Sequence, residues 1–184
     1  MGGEMRMAKP DTAERILDIA ERAARTGGYN AFSFREIAAE IGIKSASVHY
    51  HFPTKEALGE ALAERYSDNF FKALGDPQAS PPAELLARYV AAYGAALKQD
   101  GLMCLCGVFG AEIADLPPPV AGATRAFFAR NLDWLGQVYR RKGLQDAAAD
   151  QAAAHMMAAL EGAMILARAM EDTALFDAAV AGLS

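Results

Sequence analysis

Residues 33–55 read SFREIAAEIGIKSASVHYHFPTK, and this stretch decides the fold. Ser33 can cap a helix that carries a glutamate three residues later, which is the pattern of a capping box. Apolar residues then recur at helical spacing as far as Gly42. A second short helix is predicted over residues 45–51, because Pro53 breaks the pattern that follows. Since glycine adopts the left-handed conformation that a sharp reversal requires, Gly42 predicts a helix-turn-helix.

The second helix of this motif presents hydrogen-bond donors and no carboxylate. No Asp or Glu lies between Ile41 and Lys55. An acid that faced phosphate would repel it, whereas Lys, Ser, His and Tyr side chains bind phosphates and base edges in the major groove. We therefore expect DNA contacts from Ser33, Arg35, Lys44, Ser45, Ala46, Ser47, His49, Tyr50, His51, Thr54 and Lys55. The alternative is a plain helical hairpin within an all-α protein.

The run GIKSASVHYHFPTKEAL at residues 42–58, preceded by FSFREIAAEI at 32–41, resembles the DNA-binding domain of TetR-family transcriptional regulators. That family typically reads G-[VI]-[ST]-x-x-[ST]-[LIV]-Y-x-[HY]-F-x-[ST]-K. This chain matches the pattern at Gly42, Ile43, Val48, His51, Phe52, Thr54 and Lys55. It departs at Lys44, where Ser or Thr usually caps the second helix, and at His49, where Tyr is usual and Tyr50 stands next to it.

The resemblance implies an all-α homodimer with two N-terminal DNA-reading heads. It also implies a C-terminal domain that binds a small-molecule effector and provides the dimer interface. A bound ligand would shift the helix that begins at Thr54, change the separation of the heads and release a palindromic operator. Most members of the family are repressors and some are activators, so we expect a ligand-responsive repressor.

Helical patterns continue along the chain. Alanine is abundant and no strand pattern occurs, which predicts an all-α fold of about nine helices. The segment GDPQASPP at residues 75–82 is typical of a linker. We expect a disordered tail at 1–10, the helix-turn-helix domain at 11–55, a connecting helix at 56–74 and a C-terminal ligand-binding and dimerisation domain at 75–184. Beyond the linker, helices are predicted at 83–99, 101–115, 119–142, 147–170 and 172–183.

Charge and composition narrow the class of protein. Hydrophobic residues make up 53% of the chain, enough for a packed core, and the formal net charge is −5. Residues 1–55 hold eight basic and seven acidic residues, whereas the remainder holds ten and sixteen, so DNA repels the N-terminal part less. No apolar run reaches the roughly 18 residues of a membrane span and no secretion leader opens the chain, which predicts a cytoplasmic protein.

The motifs of common enzymes and metal sites are missing from the sequence. There is no G-x-G-x-x-G, G-x-S-x-G, P-loop or H-E-x-x-H, and the only cysteines are Cys104 and Cys106. Two thiols provide neither a disulfide framework nor four zinc ligands, so no metal or cofactor is expected. A small helical enzyme with a thiol dyad of Cys104 and Glu112 or His155 is a remote alternative.

Aromatic and polar residues of the C-terminal part are candidates for an effector pocket. We expect ligand contacts from Tyr89, Tyr93, Cys104, Phe109, Glu112, Phe127, Asn131 and Trp134, with Phe128 as a further candidate. The alternative is that these side chains pack the core, because several of them recur at helical spacing.

Cys104 supports a second hypothesis for regulation. Some TetR-family members with a similar Cys-Leu-x-Gly sequence sense electrophiles through that cysteine, which implies a thiol-based electrophile or redox sensor. The thiol lies in the apolar segment 102–109, so a small hydrophobic core residue is the alternative.

Small and apolar residues also recur late in the chain. The stripe consists of Met156, Met157, Leu160, Ala163, Met164 and Ala167. Of two interpretations, core of one chain and face of a four-helix dimer interface, the resemblance favours the dimer interface.

Overall fold

The computed structural model describes residues 11–183, apart from the side chains of residues 99 and 100. The tail predicted at 1–10 lies outside the described residues. Within this range the chain forms nine α-helices, a 3₁₀ turn at Tyr29–Ala31 and no strand, which confirms the all-α prediction. None of these helices is both long and apolar enough to cross a bilayer. The helices are α1 (Thr12–Gly27), α2 (Phe34–Ile41), α3 (Ser45–His51), α4 (Lys55–Leu74), α5 (Pro82–Asp100), α6 (Leu105–Ala111), α7 (Pro118–Arg141), α8 (Asp146–Ala169) and α9 (Ala174–Val180).

Local hydrogen bonds set the reversal between α2 and α3. The Ser33 hydroxyl oxygen accepts from the backbone N–H of Glu36 at 3.3 Å, and the hydroxyl donates to the Glu36 carboxylate at 2.7 Å. Gly42 adopts the left-handed conformation, with φ 80° and ψ 35°, and its N–H donates to the Ala38 carbonyl at 3.0 Å. The helix-turn-helix therefore forms where the sequence predicted it.

The N-cap residues of α1, α3 and α4 differ in whether their side chains form a cap hydrogen bond. Thr54 caps α4, because its hydroxyl oxygen accepts from the Ala57 N–H at 3.1 Å. Asp11 and Lys44 occupy the N-cap positions of α1 and α3, but their side chains make no cap hydrogen bond. Although Asp is a common N-cap residue, α1 therefore begins without a side-chain cap, and α3 begins without the Ser or Thr cap that is usual at position 44.

Gly42→Ala should lower the free energy of unfolding by about 1 kcal/mol, because an L side chain pays that much to adopt the left-handed region. A Cβ atom at position 42 would meet no atom within 4 Å, so the cost is one of backbone conformation alone. Urea unfolding measures it, with Gly42→Asn as the control that should lose less, since Asn tolerates this conformation. Wild-type stability in both variants would contradict a left-handed residue at this position.

The first three helices share a small apolar core. Ile37, Ile41 and Val48 are buried, and Ile43 and Phe52 pack at the edge of this core, so these side chains hold α2 and α3 together. We call α1 to α3 the head.

The helix α4 joins the head to the rest of the chain. Its Arg65 guanidinium donates to Glu14, Asp18 and Glu21 of α1 at 3.0, 2.7 and 2.8 Å, and its Phe71 is buried farther along the helix. The helix also packs along α7. Movement of α4 is therefore coupled to α1 through a three-carboxylate network.

Two helices predicted in the C-terminal part are shorter in the structure. The helix predicted at 101–115 is the shorter α6, because Gly101 adopts the left-handed conformation that ends α5, and the Leu102 N–H then bonds back to the Ala96 carbonyl. Turns follow Ala111. The helix predicted at 172–183 is the shorter α9, and the 3₁₀ turn at 29–31 was not predicted.

The apolar stripe of α8 belongs to the core of one chain. All six residues expected at a dimer interface are at most 5% exposed in the single chain: Met156, Met157, Leu160, Ala163, Met164 and Ala167. The preferred interpretation was wrong, because α8 packs this face against α7, α5 and α9. The large apolar side chains that stay exposed on α7 and α8 are Leu132, Ile165 and Leu166, and Met170 is exposed directly after α8.

Candidate functional site

The α3 helix is anchored by one side chain and exposes most of the others. Val48 is fully buried, whereas Lys44, Ala46 and His49 are exposed and Tyr50 is 85% exposed. An apolar anchor with an exposed opposite face is the arrangement of a recognition helix that can enter a major groove.

Half-buried hydroxyls and an imidazole border this exposed face. Ser45, Ser47 and His51 are half-buried, and the exposed Arg35 projects from the start of α2. A shallow concavity of about 420 Å³ lies among them, lined by Thr12, Ile43, Lys44, Ala46, Ser47, Tyr50 and His51. The structure thus brings most of the predicted DNA-contact residues onto one surface.

The two rings at positions 49 and 50 differ in their surroundings. The His49 ring packs edge-on against Phe34 at 4.6 Å, and its Nδ1 lies 3.4 Å from the carbonyl oxygen of Pro53. The Tyr50 ring contacts His51 edge-on at 5.3 Å and otherwise projects into solvent. Tyr50 is therefore the ring that extends farther from the head.

Lys55 combines a structural role with its predicted DNA role. Its Nζ lies 4.6 Å above the ring of Tyr29 and 4.8 Å above that of Phe32, and it donates to Asn30 Oδ1 at 3.4 Å. Burial lowers the pKa of this lysine. Sequence reasoning missed the 3₁₀ turn that holds this ammonium beside α3.

Acidic side chains around the head form ion pairs or hydrogen bonds with neighbouring groups. Glu40 forms an ion pair with Arg22, and Glu36 accepts from Ser33. Hydrogen bonds to the backbone and to Thr54 lower the pKa of the exposed Glu56. These three carboxylates lie on helices other than α3, so the recognition surface itself carries no acidic side chain.

Most of the predicted effector residues pack against one another. The Tyr89 hydroxyl donates to Asn131 Oδ1 at 2.6 Å, and the Asn131 amide donates to the Phe127 carbonyl at 2.7 Å. The Tyr89 and Trp134 rings stack at 5.7 Å. The six residues Tyr89, Tyr93, Phe109, Phe127, Asn131 and Trp134 are all buried, as the packing alternative predicts, although Phe127 and Trp134 also line the walls of open clefts.

At least three clefts among the described residues of α4 to α8 are large enough for a small molecule, and the smallest of these, of about 420 Å³, is lined by Glu64, Ser67, Asp68, Ala123, Ala126, Phe127 and Arg130. A polar cleft of about 540 Å³ between α4 and α7 is lined by Asp68, Phe71, Lys72, Gly75, Asp76, Pro77, Arg130, Asp133, Trp134 and Gln137. A second cleft of about 470 Å³, called the α6–α8 pocket below, is lined by Met103, Gly107, Val108, Gly110, Ala111, Glu112, Phe128, Glu161 and Ile165.

Of the predicted effector residues, Glu112 and Phe128 line the α6–α8 pocket and Trp134 lines the polar cleft. Sequence reasoning missed Glu161. It is an acid within the apolar α8 pattern, and that anomaly was a signal that could have found it.

The two thiols lie inside the protein. Cys104 and Cys106 are both buried and unpaired, and the Cys104 Sγ accepts from the Gly107 N–H at 3.3 Å. Burial raises the pKa of both thiols. Electrophiles react with exposed thiolates, so sensing through Cys104 would require the α6 segment to open, and that hypothesis stays a prediction. Among the described residues no cluster of three or more His, Cys, Asp or Glu is placed to hold a metal ion.

Known proteins share this arrangement in both halves of the chain. Residues 16–62 match the family model described as bacterial regulatory proteins of the tetR family. Residues 82–181 match the model described as the C-terminal domain of LmrA/YxaF-like transcriptional regulators. The class of protein is thus a helix-turn-helix transcriptional regulator with a helical C-terminal domain.

Solved structures extend the likeness over nearly the whole chain. A TetR transcriptional regulator from Legionella pneumophila has a TM-score of 0.90 and 31% identity, covering 96% of this chain and 97% of that one. A TetR-family regulator from Agrobacterium tumefaciens has a TM-score of 0.82 and 32% identity, covering 90% and 92%. The transcriptional repressor DhaR of Mycobacterium sp. (strain GP1) is 28% identical over 113 residues, which are 60% of this chain and 56% of that repressor. The chain belongs to the TetR family of transcriptional regulators, and it is a transcription factor and not an enzyme.

Proposed function

We propose that this protein is a repressor that binds a palindromic operator as a homodimer and releases it when a small molecule binds the C-terminal part. The exposed, acid-free surface of α3 is the observation that carries the proposal. The relative DhaR is named a repressor, which supports the sign of regulation. A DNA partner of this kind also implies that the protein works in the cytoplasm.

The outer face of α7 and α8 is the proposed dimer interface. Leu132 of α7 and Ile165 and Leu166 of α8 are exposed apolar side chains, and Met170 follows α8 directly. Clustered exposed apolar side chains are typical of a surface that is buried in an assembly. A second copy would place another head at a fixed distance, which is what a two-half-site operator requires.

In the proposed complex, Tyr50 and Lys44 reach from α3 to the DNA, while Arg35 and Lys55 contact phosphates beside the groove. Ser45, Ser47 and His51 lie close enough to that surface to add hydrogen bonds, and the Ala46 methyl leaves room for a base. Ser33 and Thr54 cap their helices, so they support the surface and contact phosphate only through their remaining hydrogen-bonding capacity.

The first experiment selects a binding duplex from a random-sequence library and measures its affinity at several salt concentrations. A recovered palindrome with a Kd that rises steeply with salt supports the proposal, since phosphate contacts release counterions. Failure to enrich any sequence contradicts it.

Tyr50→Ala should weaken binding to the selected duplex by about 5- to 150-fold, the 1–3 kcal/mol of one good groove or backbone contact. The ring is 85% exposed, so its loss should leave the unfolding midpoint unchanged. A gel-shift titration measures the affinity. Ala91→Ser on the exposed side of α5 is the control, and its affinity should equal that of the wild type. Equal affinity in the Tyr50 variant would remove Tyr50 from the interface.

A further inference from the structure

The α6–α8 pocket combines apolar walls with two carboxylates. Met103, Val108, Phe128 and Ile165 supply apolar surface, and Glu112 and Glu161 supply the acidic groups. Neither glutamate forms an ion pair with any of the described residues. The volume of about 470 Å³ suits a compact organic molecule.

Two glycines on one face of α6 keep this space open. A Cβ atom at Gly107 would lie 2.2 Å from Oε2 of Glu161, and one at Gly110 would lie 3.1 Å from the Phe128 ring. Residues three apart on a helix share a face, so any larger pair would fill the floor of the pocket. The Glu161 carboxylate therefore rests directly on the α6 backbone.

A hydrogen bond from inside the protein orients Glu161. The Tyr93 hydroxyl donates to Oε1 at 3.3 Å. Burial raises the pKa of Glu161 to about 7. A positive charge in the pocket would supply the electrostatic partner that the carboxylate lacks.

Glu112 lines the pocket and also contacts the head. Its Oε2 accepts from the backbone N–H of Tyr29 at 2.8 Å, and a Cβ atom at Gly28 would lie 2.0 Å from its Oε1. Tyr29 lies in the 3₁₀ turn that joins α1 to α2, and its ring supports the Lys55 ammonium. A change at Glu112 therefore acts directly on the backbone of the head.

Two basic groups face this region, Arg25 from the head and Lys55 from the start of α4. The Lys55 ammonium interacts with the charge of Glu112 at longer range. The Arg25 guanidinium donates to the Met103 carbonyl at 2.7 Å and pairs with Glu21 at 3.3 Å, so Arg25 is already engaged behind the pocket wall.

We propose that the α6–α8 pocket binds a compact apolar cation, and that the bound cation draws the Glu112 carboxylate away from the Tyr29 amide and so loosens the head. The inference rests on the proposed function for its link to DNA release, but the binding step stands on the pocket alone. The apolar walls take the hydrocarbon surface, and the two carboxylates select positive charge over negative charge.

The binding test uses a pair of probes with the same shape and opposite charge, tetraphenylphosphonium and tetraphenylborate. Calorimetric titration of the full chain without DNA should give binding of the phosphonium and at least tenfold weaker binding of the borate. This comparison needs no variant, so it does not depend on whether a mutant folds. Equal affinity for the two probes, or no binding of the phosphonium, would overturn the proposal.

Charge-removing variants then locate the site. Glu161→Gln and Glu112→Gln should each weaken phosphonium binding at least fivefold. Glu84→Gln, which removes one exposed charge on α5, should leave it unchanged. Equal losses in all three variants would place the cation elsewhere and overturn the assignment of the pocket.

The coupling is tested as the ratio of the Kd for the selected duplex with phosphonium to that without it. This ratio should be at least five for the wild type and about one for Glu112→Gln. Phosphonium binding with an unchanged duplex ratio overturns the role of Glu112. Phosphonium binding without any duplex binding contradicts only the proposed function, so the two failures are distinguishable.

Discussion

Leu166→Lys is expected to convert the protein from a dimer to a monomer. Leu166 is an exposed apolar side chain on the outer face of α8, and burying a lysine there without a partner costs far more than the apolar contact it replaces. Two linked heads bind a two-half-site duplex with an effective concentration in the millimolar range. Loss of the dimer should therefore weaken binding to the selected palindrome by at least about a hundredfold.

Sedimentation analysis measures the oligomeric state of this variant, and gel shift measures its affinity. Ala91→Lys adds the same charge to an exposed position of α5, and it should leave both the dimer and the duplex affinity unchanged. A dimeric Leu166→Lys protein would remove this face as the interface, and a monomeric wild type would contradict the proposed homodimer itself.

Glu161→Gln is expected to stabilise the protein at pH 8 and to change its stability little at pH 4.5. Burial raises the pKa of Glu161 from 4.5 to about 7 in the folded chain. Between these values the folded state holds a proton that the unfolded state has lost, so stability falls as pH rises and levels off above pH 7. The isosteric amide has no such penalty, and the gain at pH 8 should reach up to about 3 kcal/mol.

Urea unfolding at the two pH values, at one protein concentration, measures this difference. The neighbouring Tyr93 and Cys104 have pKa values raised by burial, so they stay protonated throughout the range and do not obscure the comparison. Glu84→Gln removes an exposed carboxyl and should show no comparable pH dependence. The interpretation fails if Glu161→Gln shifts the stability equally at both pH values.

The helix ends and the reversal that carry the candidate DNA-contact residues form where the sequence predicted them, because they depend on short-range interactions. Ser33 caps the helix that starts at the next residue, and Gly42 reverses the chain within one turn. Thr54 caps α4 by accepting from the backbone N–H three residues ahead. Such interactions can be read from a window of a few residues. The α3 surface follows from the same window, because Val48 is its one deeply apolar side chain.

The lining of a pocket was harder to predict, because aromatic side chains at helical spacing suit both a packed core and a ligand pocket. Tyr89, Phe127 and Trp134 are buried: the Tyr89 hydroxyl donates to Asn131, the Asn131 amide donates to the Phe127 carbonyl, and the Trp134 ring stacks on Tyr89. Two other features of the sequence indicate the α6–α8 pocket: the glycines at positions 107 and 110, and Glu161, an acid within the apolar pattern of α8.

The sequence by itself determined the all-α class, the helix-turn-helix and its acid-free face, because capping, glycine conformation and helical periodicity act over a few residues. The tertiary structure decided the use of the α8 stripe and the position of the pocket. Those features depend on partners far apart in the chain: the Arg25 guanidinium holds the Met103 carbonyl 78 residues away, and the Tyr29 amide holds Glu112 83 residues away. Contacts of this kind form only when the helices pack, so no local pattern specifies them.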